Sequence, residues 1–148
     1  MITYIKGDIF TSECQTIVNT VNCLGVMGKG IALEYKKRYP EMFEIYKEFC
    51  KKKMLNIGLL YLYKSKKDKK WILNFPTKYD WRKPSQYEYL EKGLQKFVDT
   101  YKQKGITSIA FPLLGTQNGD LDKEEVKKIM YKYLEDCDIQ IEIYEHIN

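Results

Sequence analysis

The chain has a single histidine, His146, close to its C-terminal end. A Ser-His-Asp triad, an H-E-x-x-H zinc site or a histidine general base would each have to be built on that one terminal side chain. Chemistry is therefore expected from Lys, Asp, Asn or backbone groups. The four cysteines (Cys14, Cys23, Cys50, Cys137) include no C-x-x-C pair and no other metal-ligand spacing. They are expected as idle thiols in a reducing compartment, and neither metal nor cofactor is expected. No apolar run approaches the roughly 18 residues needed to span a bilayer. The opening MITYIKGDIF lacks the basic segment and long apolar core of a secretory signal. A cytoplasmic location without a membrane partner is the expectation.

What is present is ordinary for a globular protein: 148 residues, 44% hydrophobic and 30% charged. That length suits one domain over residues 1–148, able to bury roughly 70% of its unfolded surface. The net charge is +5. Lysines crowd Lys51 to Lys53 and Lys64 to Lys70, read as a helix end and a strand-connecting turn. Such runs suit a solvated face, or a surface for nucleic acid or another polyanion.

Strand and helix patterns interleave. Strands are expected at Ile2 to Ile5, Thr16 to Val21, Leu59 to Tyr63, Trp71 to Phe75, Ser108 to Pro112 and Ile139 to Tyr144. Helices are expected at Gly28 to Tyr39, Glu41 to Lys53, Gln86 to Lys104 and Glu124 to Leu134, with Pro40 and Gly105 as punctuation. No repeat, low-complexity tract or linker interrupts them. The expected fold class is α/β, a three-layer α/β/α sandwich with a mixed central sheet.

Three segments stand out as parts of one site: Asn19 to Ala32, Asn74-Phe-Pro-Thr-Lys78, and Pro112 to Asp122. The first and third are glycine-bearing loops that follow a strand and open a helix, where backbone N–H groups and a helix N-terminus hold anions. Two such loops suggest a ligand with two phosphates. In α/β sheets ligands bind outside the carboxyl ends of strands, so all three segments are expected along one crevice. Gly25-Val-Met-Gly28-Lys29-Gly30 is not a P-loop, because Gly30 replaces the hydroxyl residue after the lysine and the preceding spacing is wrong. Gly28-Lys-Gly30 is followed by Ile31, Ala32 and Leu33, so the dinucleotide fingerprint fails as well.

Gly7-Asp8-Ile9, the Asn- and Gly-rich first loop and the Gly115 to Gly119 loop together resemble the macrodomain, an ADP-ribose-binding fold. More narrowly, Asn19-Thr-Val-Asn22, Gly25-Val-Met-Gly28-Lys-Gly30-Ile-Ala32 and Asn74-Phe-Pro-Thr-Lys78-Tyr-Asp-Trp81-Arg82 resemble the DNA ADP-ribosyl glycohydrolase antitoxins. These are relatives of the human terminal ADP-ribose protein glycohydrolase. The resemblance runs from Met1 to about Tyr144.

The resemblance implies roles residue by residue. Asp8 accepts from the adenine amino group as a buried carboxylate, with the Ile9 N–H beside it; a plain turn-forming role after Gly7 is the alternative. Gly28, Gly30 and Ile31, with Gly115, Thr116, Gln117, Asn118 and Gly119, wrap the diphosphate and distal ribose. Asn22 faces the distal ribose. Tyr144 stacks on adenine, or is a sheet-edge tyrosine with a wet hydroxyl. Lys78 attacks the anomeric carbon of the distal ribose. A free lysine is protonated at neutral pH, so burial against Trp81 and the charges of Arg82 and Lys83 are expected to lower its pKa.

Two departures qualify the match. The human relative carries an aspartate in the second loop where Gly119 stands here, with Asp120 next to it, and the antitoxins also have glycine there. The antitoxins continue into a further C-terminal domain, so the chain is either free-standing or a fragment. The implied activity is hydrolysis of mono-ADP-ribose from a DNA base or an acidic side chain. A non-catalytic ADP-ribose reader and an O-acetyl-ADP-ribose deacetylase are the alternatives. The implied partners are ADP-ribose, ADP-ribosylated DNA or protein, and a cognate ADP-ribosyltransferase toxin.

Overall fold

A computed structural model describes residues 1–147; the expected domain boundary at residue 148 lies outside the described residues. The strands are β1 (Ile2–Lys6), β2 (Thr16–Asn22), β3 (Tyr61–Lys64), β4 (Trp71–Lys78), β5 (Ser108–Pro112) and β6 (Gln140–Glu145). The helices are α1 (Gly30–Arg38), α2 (Pro40–Lys51), α3 (Tyr87–Lys104) and α4 (Lys123–Leu134). One sheet runs in the order β1-β6-β5-β2-β4-β3. β3 pairs antiparallel with β4, and every other pairing is parallel. Among the described residues no helix is long and apolar enough to cross a membrane.

Side-chain alternation along the strands splits the core into two layers. On β5, Ile109 and Phe111 pack with Leu90, Leu94 and Phe97 of α3 and with Val126 and Met130 of α4. Ala110 between them faces the other way, toward Tyr35, Met42 and Tyr46 of α1 and α2. Helices thus cover both faces of a mixed sheet, the three-layer sandwich that the interleaved pattern implies. Local chemistry sets the helix ends. Pro40 opens α2, Gly105 closes α3 in the left-handed region (φ 82°), and the Asp122 carboxylate accepts from Glu125 N–H at 3.0 Å to cap α4.

Most elements lie within a residue or two of the expected bounds, and three differences bear on the site. β4 does not stop at Phe75 but continues through Pro76 to Lys78. Its partner β3 is paired only as far as Asn74, so at Pro76 the strand has a neighbour on one side only, where proline is tolerated in a sheet. A 3-10 turn at Ile9–Thr11, absent from the expectation, forms because Asp8 accepts from Phe10 N–H at 2.9 Å. α1 begins at Gly30, after an irregular stretch, rather than at Gly28.

Candidate active site

The parallel strands β1, β6, β5, β2 and β4 point their carboxyl ends the same way, and a cavity of about 800 Å³ opens along those ends. It is lined by Asp8 and Ile9 after β1, Tyr144 on β6, the loop after β5, Asn22 on β2, and Thr77 and Lys78 on β4. β6 and β4 stand three strand spacings apart, so Tyr144 and Lys78 mark two ends separated by about 14 Å. Of the residues given roles from the sequence, Asp8, Ile9, Asn22, Gly28, Gly30, Ile31, Lys78, Gly115, Thr116, Gln117, Asn118, Gly119 and Tyr144 lie on this lining. Asn74, Phe75 and Pro76 of the Asn74 to Lys78 string do not. Asn74 is fully buried inside the sheet, where Asn19 Nδ2 donates to its Oδ1 at 3.0 Å.

Lys78 is 9% exposed. Its Nζ donates to the Asn118 carbonyl and, at 3.3 Å, to the Trp81 carbonyl. Burial pushes its pKa below the usual lysine range; Asp120 opposes that shift, Lys29 adds to it and Asp80 opposes it again. The expected neighbours need correction. Trp81 meets Nζ through its backbone carbonyl while its side chain stays 45% exposed at the rim. Arg82 is turned away, its guanidinium held by Asp80 at 2.9 and 2.7 Å. The cation acting on Lys78 is Lys29, from the first loop.

The first loop is braced from below. Asn22 Oδ1 accepts from Leu24 N–H at 2.9 Å and from Tyr46 O–H at 3.0 Å, and Asn22 Nδ2 donates to the Val26 carbonyl at 2.7 Å. Asn22 borders the cavity, but its side chain is engaged in shaping the loop rather than free to face a sugar. The loop delivers the chain to α1, whose first turn has no side-chain cap. Gly30, Ile31 and Ala32 of that uncapped turn line the cavity, where an anion would satisfy the leading N–H groups.

The second loop uses a different device. α4 is capped by its own Asp122, so the helix-terminus reading fails for this loop. Any anion here must be held by the N–H groups of residues 115–119 themselves. The loop is tight: Leu121 N–H donates to the Gly115 carbonyl at 3.0 Å, and Ser85 N–H to the Gly119 carbonyl at 2.9 Å. The Thr116 hydroxyl donates to the Leu113 carbonyl at 2.9 Å. A Cβ on Gly119 would overlap the Gly115 carbonyl and come within 2.9 Å of Gly115 Cα, so a side chain at this position cannot be accommodated without moving the loop. A Cβ on Gly30 would come within 2.8 Å of Asn118 Nδ2, which shows how closely the two loops approach.

At the far end, Asp8 is exposed rather than buried, with Oδ1 occupied by Phe10 N–H. The turn-forming role is therefore real, and no protein donor engages Oδ2 among the described residues. Tyr144 is neither at a sheet edge nor wet: it is buried on the second strand of the sheet, its hydroxyl donating to Glu142 at 3.1 Å. The cavity also recruits residues that motif reading missed, among them Phe10, Glu34, Arg38 and His146. Glu34 and Arg38 fall at helical spacing from Gly30, so the face of α1 was the available signal. The cysteines take no part; burial pushes the Cys23 thiol up to about 12 and raises Cys14, Cys50 and Cys137.

A family model for the Macro domain matches residues 18–130. The chain belongs to the macrodomain family. As a macrodomain it is 43% identical over 146 residues to a DNA ADP-ribosyl glycohydrolase of Mycobacterium tuberculosis, covering 95% of this chain and 42% of that protein. The solved macrodomain of M. tuberculosis DarG superposes with a TM-score of 0.93 at 42% identity, covering 97% of both chains. Thermosipho africanus DarTG, solved in complex with ADP-ribose, gives a TM-score of 0.93 at 37% identity, covering 97% of this chain and 41% of that one. A T. africanus protein named a DNA ADP-ribosyl transferase-DNA ADP-ribosyl glycohydrolase fusion protein is 36% identical over 160 residues. The chain spans about two fifths of the length of these curated relatives.

Proposed function

We propose that this macrodomain is an ADP-ribosyl glycohydrolase that removes mono-ADP-ribose from DNA, with Lys78 as its nucleophile. The carrying observation is a buried lysine with lowered pKa at one end of a cavity whose middle is lined by two anion-suited loops. A neutral amine has two N–H bonds and one lone pair. The Trp81 and Asn118 carbonyls can accept both N–H bonds, leaving the lone pair for carbon.

In the proposed reaction the diphosphate sits on the α1 N-terminus and the 115–119 loop, which brings the distal ribose to Lys78. Nζ forms a bond to the anomeric carbon as the bond to the modified base breaks; the bonding pair leaves with the base, which takes up a proton. Water then adds to that carbon and Nζ departs, giving ADP-ribose and the free amine. The transition states carry positive charge at the sugar, which the diphosphate partly balances. Gly119 leaves no room for an acid at its own position. Asp120 acts on Lys78 as a charge favouring the ammonium. No cofactor enters the scheme.

DNA is favoured as the substrate because the relatives most like this chain are named for that activity. The fusion relative supports a cognate ADP-ribosyltransferase as the opposing partner; a cytoplasmic setting for both is part of the proposal. Released ADP-ribose should be measured from ADP-ribosylated single-stranded DNA and ADP-ribosylated protein in parallel. Release from DNA is expected. Binding of ADP-ribose with release from neither substrate would establish a reader instead.

A further inference from the structure

One of the two lysine runs in the sequence, Lys64 to Lys70, places Lys66 and Lys67 on a groove beside the end of α1. The end of α1 carries Lys36, Lys37 and Arg38, and the β3–β4 turn carries Lys64, Lys66, Lys67, Lys69 and Lys70. Acidic residues nearby are Glu34, Glu41 and Asp68, so these two segments hold a local excess equal to the +5 of the whole chain. The remainder of the molecule is balanced. Between the segments lies a second cavity of about 390 Å³, walled by Lys37, Arg38, Lys66 and Lys67 over Tyr39 and Tyr63.

The groove is fixed in place. Lys67 donates to the Arg38 carbonyl and lies 4.7 Å from the Tyr39 ring centroid, and Tyr39 O–H donates to Asp68 at 2.7 Å. Arg38 is paired with Glu34 at 3.5 Å and sits over the Phe10 ring. Lys37 and Lys66 are exposed and have no intramolecular partner among the described residues. Two ammonium groups thus stand free on opposite walls of a rigid groove, with Glu41 the one acid on its lining.

The second observation is continuity. Arg38 lines both this groove and the ADP-ribose cavity, which it meets at the Asp8 end, over the Phe10 ring. α1 connects the two, running about 12 Å from Gly30, beside the Lys78 end, to Arg38. We infer that the groove holds the phosphodiester backbone of single-stranded nucleic acid, a few nucleotides beyond the modified one. Free cations supply sequence-independent affinity, and a partly exposed tyrosine supplies a stacking surface. The purpose rests on the DNA-directed activity proposed above; the binding does not.

The test uses the full chain and an unmodified oligodeoxythymidylate of about ten nucleotides, followed by fluorescence anisotropy at several salt concentrations. The variant is Lys37→Glu with Lys66→Glu, two surface positions outside the nucleotide cavity. Wild type should bind at low salt, and the variant should bind at least tenfold more weakly. The slope of log affinity against log salt should be shallower by about 1.4, while ADP-ribose affinity stays within twofold. Equal oligonucleotide binding by the two proteins, or none by wild type, overturns the inference. Competition by polyglutamate as effective as by DNA assigns the groove to an acidic polypeptide instead and also overturns it. With ADP-ribosylated oligonucleotide the variant should raise KM and leave kcat. If wild type releases nothing yet still binds DNA through these lysines, the glycohydrolase reading fails and the groove stands.

Discussion

The two ends of the cavity along the strand ends are built on opposite plans. At one, Lys78 is almost sealed from water, its ammonium held by two backbone carbonyls and its pKa pushed down by burial. At the other, Asp8 stands exposed on a 3-10 turn, next to a Phe10 ring packed between Tyr35 and Arg38. Desolvation at the first end destabilises the ground state of a charged lysine and favours the nucleophilic amine. Exposure at the second leaves a polar acceptor ready to bind at little cost. In this account one end governs rate and the other governs affinity.

The largest expected effect comes from breaking the reactive end. Lys78→Ala should lower ADP-ribose release by about 10³-fold or more while ADP-ribose affinity, measured by calorimetry, stays within a few-fold. Lys78→Arg should fail equally, since a guanidinium keeps its protons at any usable pH. Comparable losses of rate and affinity in Lys78→Ala would merge the two ends into one binding device.

Gly119→Ala tests the floor between them. Its Cβ would press on the Gly115 backbone, so the second loop must shift. Affinity for ADP-ribose should fall by about 10- to 100-fold, and the thermal midpoint should drop. Unchanged affinity and melting would show that the loop gives without cost.

Asp8→Ala should weaken ADP-ribose binding about tenfold, or ~1.4 kcal/mol, with kcat unchanged at saturation. A loss in kcat would contradict the separation of roles, and no loss at all would leave Asp8 a turn former only. The smallest effect concerns pH. The wild-type rate should rise with pH and level off below the ordinary lysine value of 10.5, because burial lowers the Lys78 pKa. Asp120 favours the ammonium, so Asp120→Asn should move that rise to lower pH. Stopped-time release assays across pH would show a much lower plateau rate in Asp120→Asn if Asp120 acted as a general base.

The same contrast explains what the sequence made legible. Alternation in Ile139-Gln-Ile-Glu-Ile, the amphipathic stripe through Leu90, Leu94 and Phe97, and the stops at Pro40 and Gly105 are local signals, and they placed the elements closely. The shared cavity was legible because five parallel strands end on one side, which brings loop motifs together whatever their separation in the chain; the roles proposed for its residues came from the family resemblance. What stayed hidden was tertiary. The pairing of Asn19 with Asn74, the bracing of the first loop by Asn22 and Tyr46, and the capture of Arg82 by Asp80 depend on side chains meeting across the fold. Pro76 masked the true end of β4, because proline tolerance depends on where the neighbouring strand stops.

The central claim is that Lys78 Nζ bonds to the anomeric carbon of the distal ribose during turnover. An adduct of that kind opens to a Schiff base, which borohydride reduces to a stable amine. Wild-type protein turning over ADP-ribosylated DNA should therefore be quenched with borohydride and mapped by peptide mass spectrometry. An ADP-ribose-sized addition is expected on the peptide carrying Lys78, dependent on substrate and absent from Lys78→Arg. Continued turnover in borohydride with Lys78 unmodified would contradict it, and a water activated by the ligand's own diphosphate would take the lysine's place.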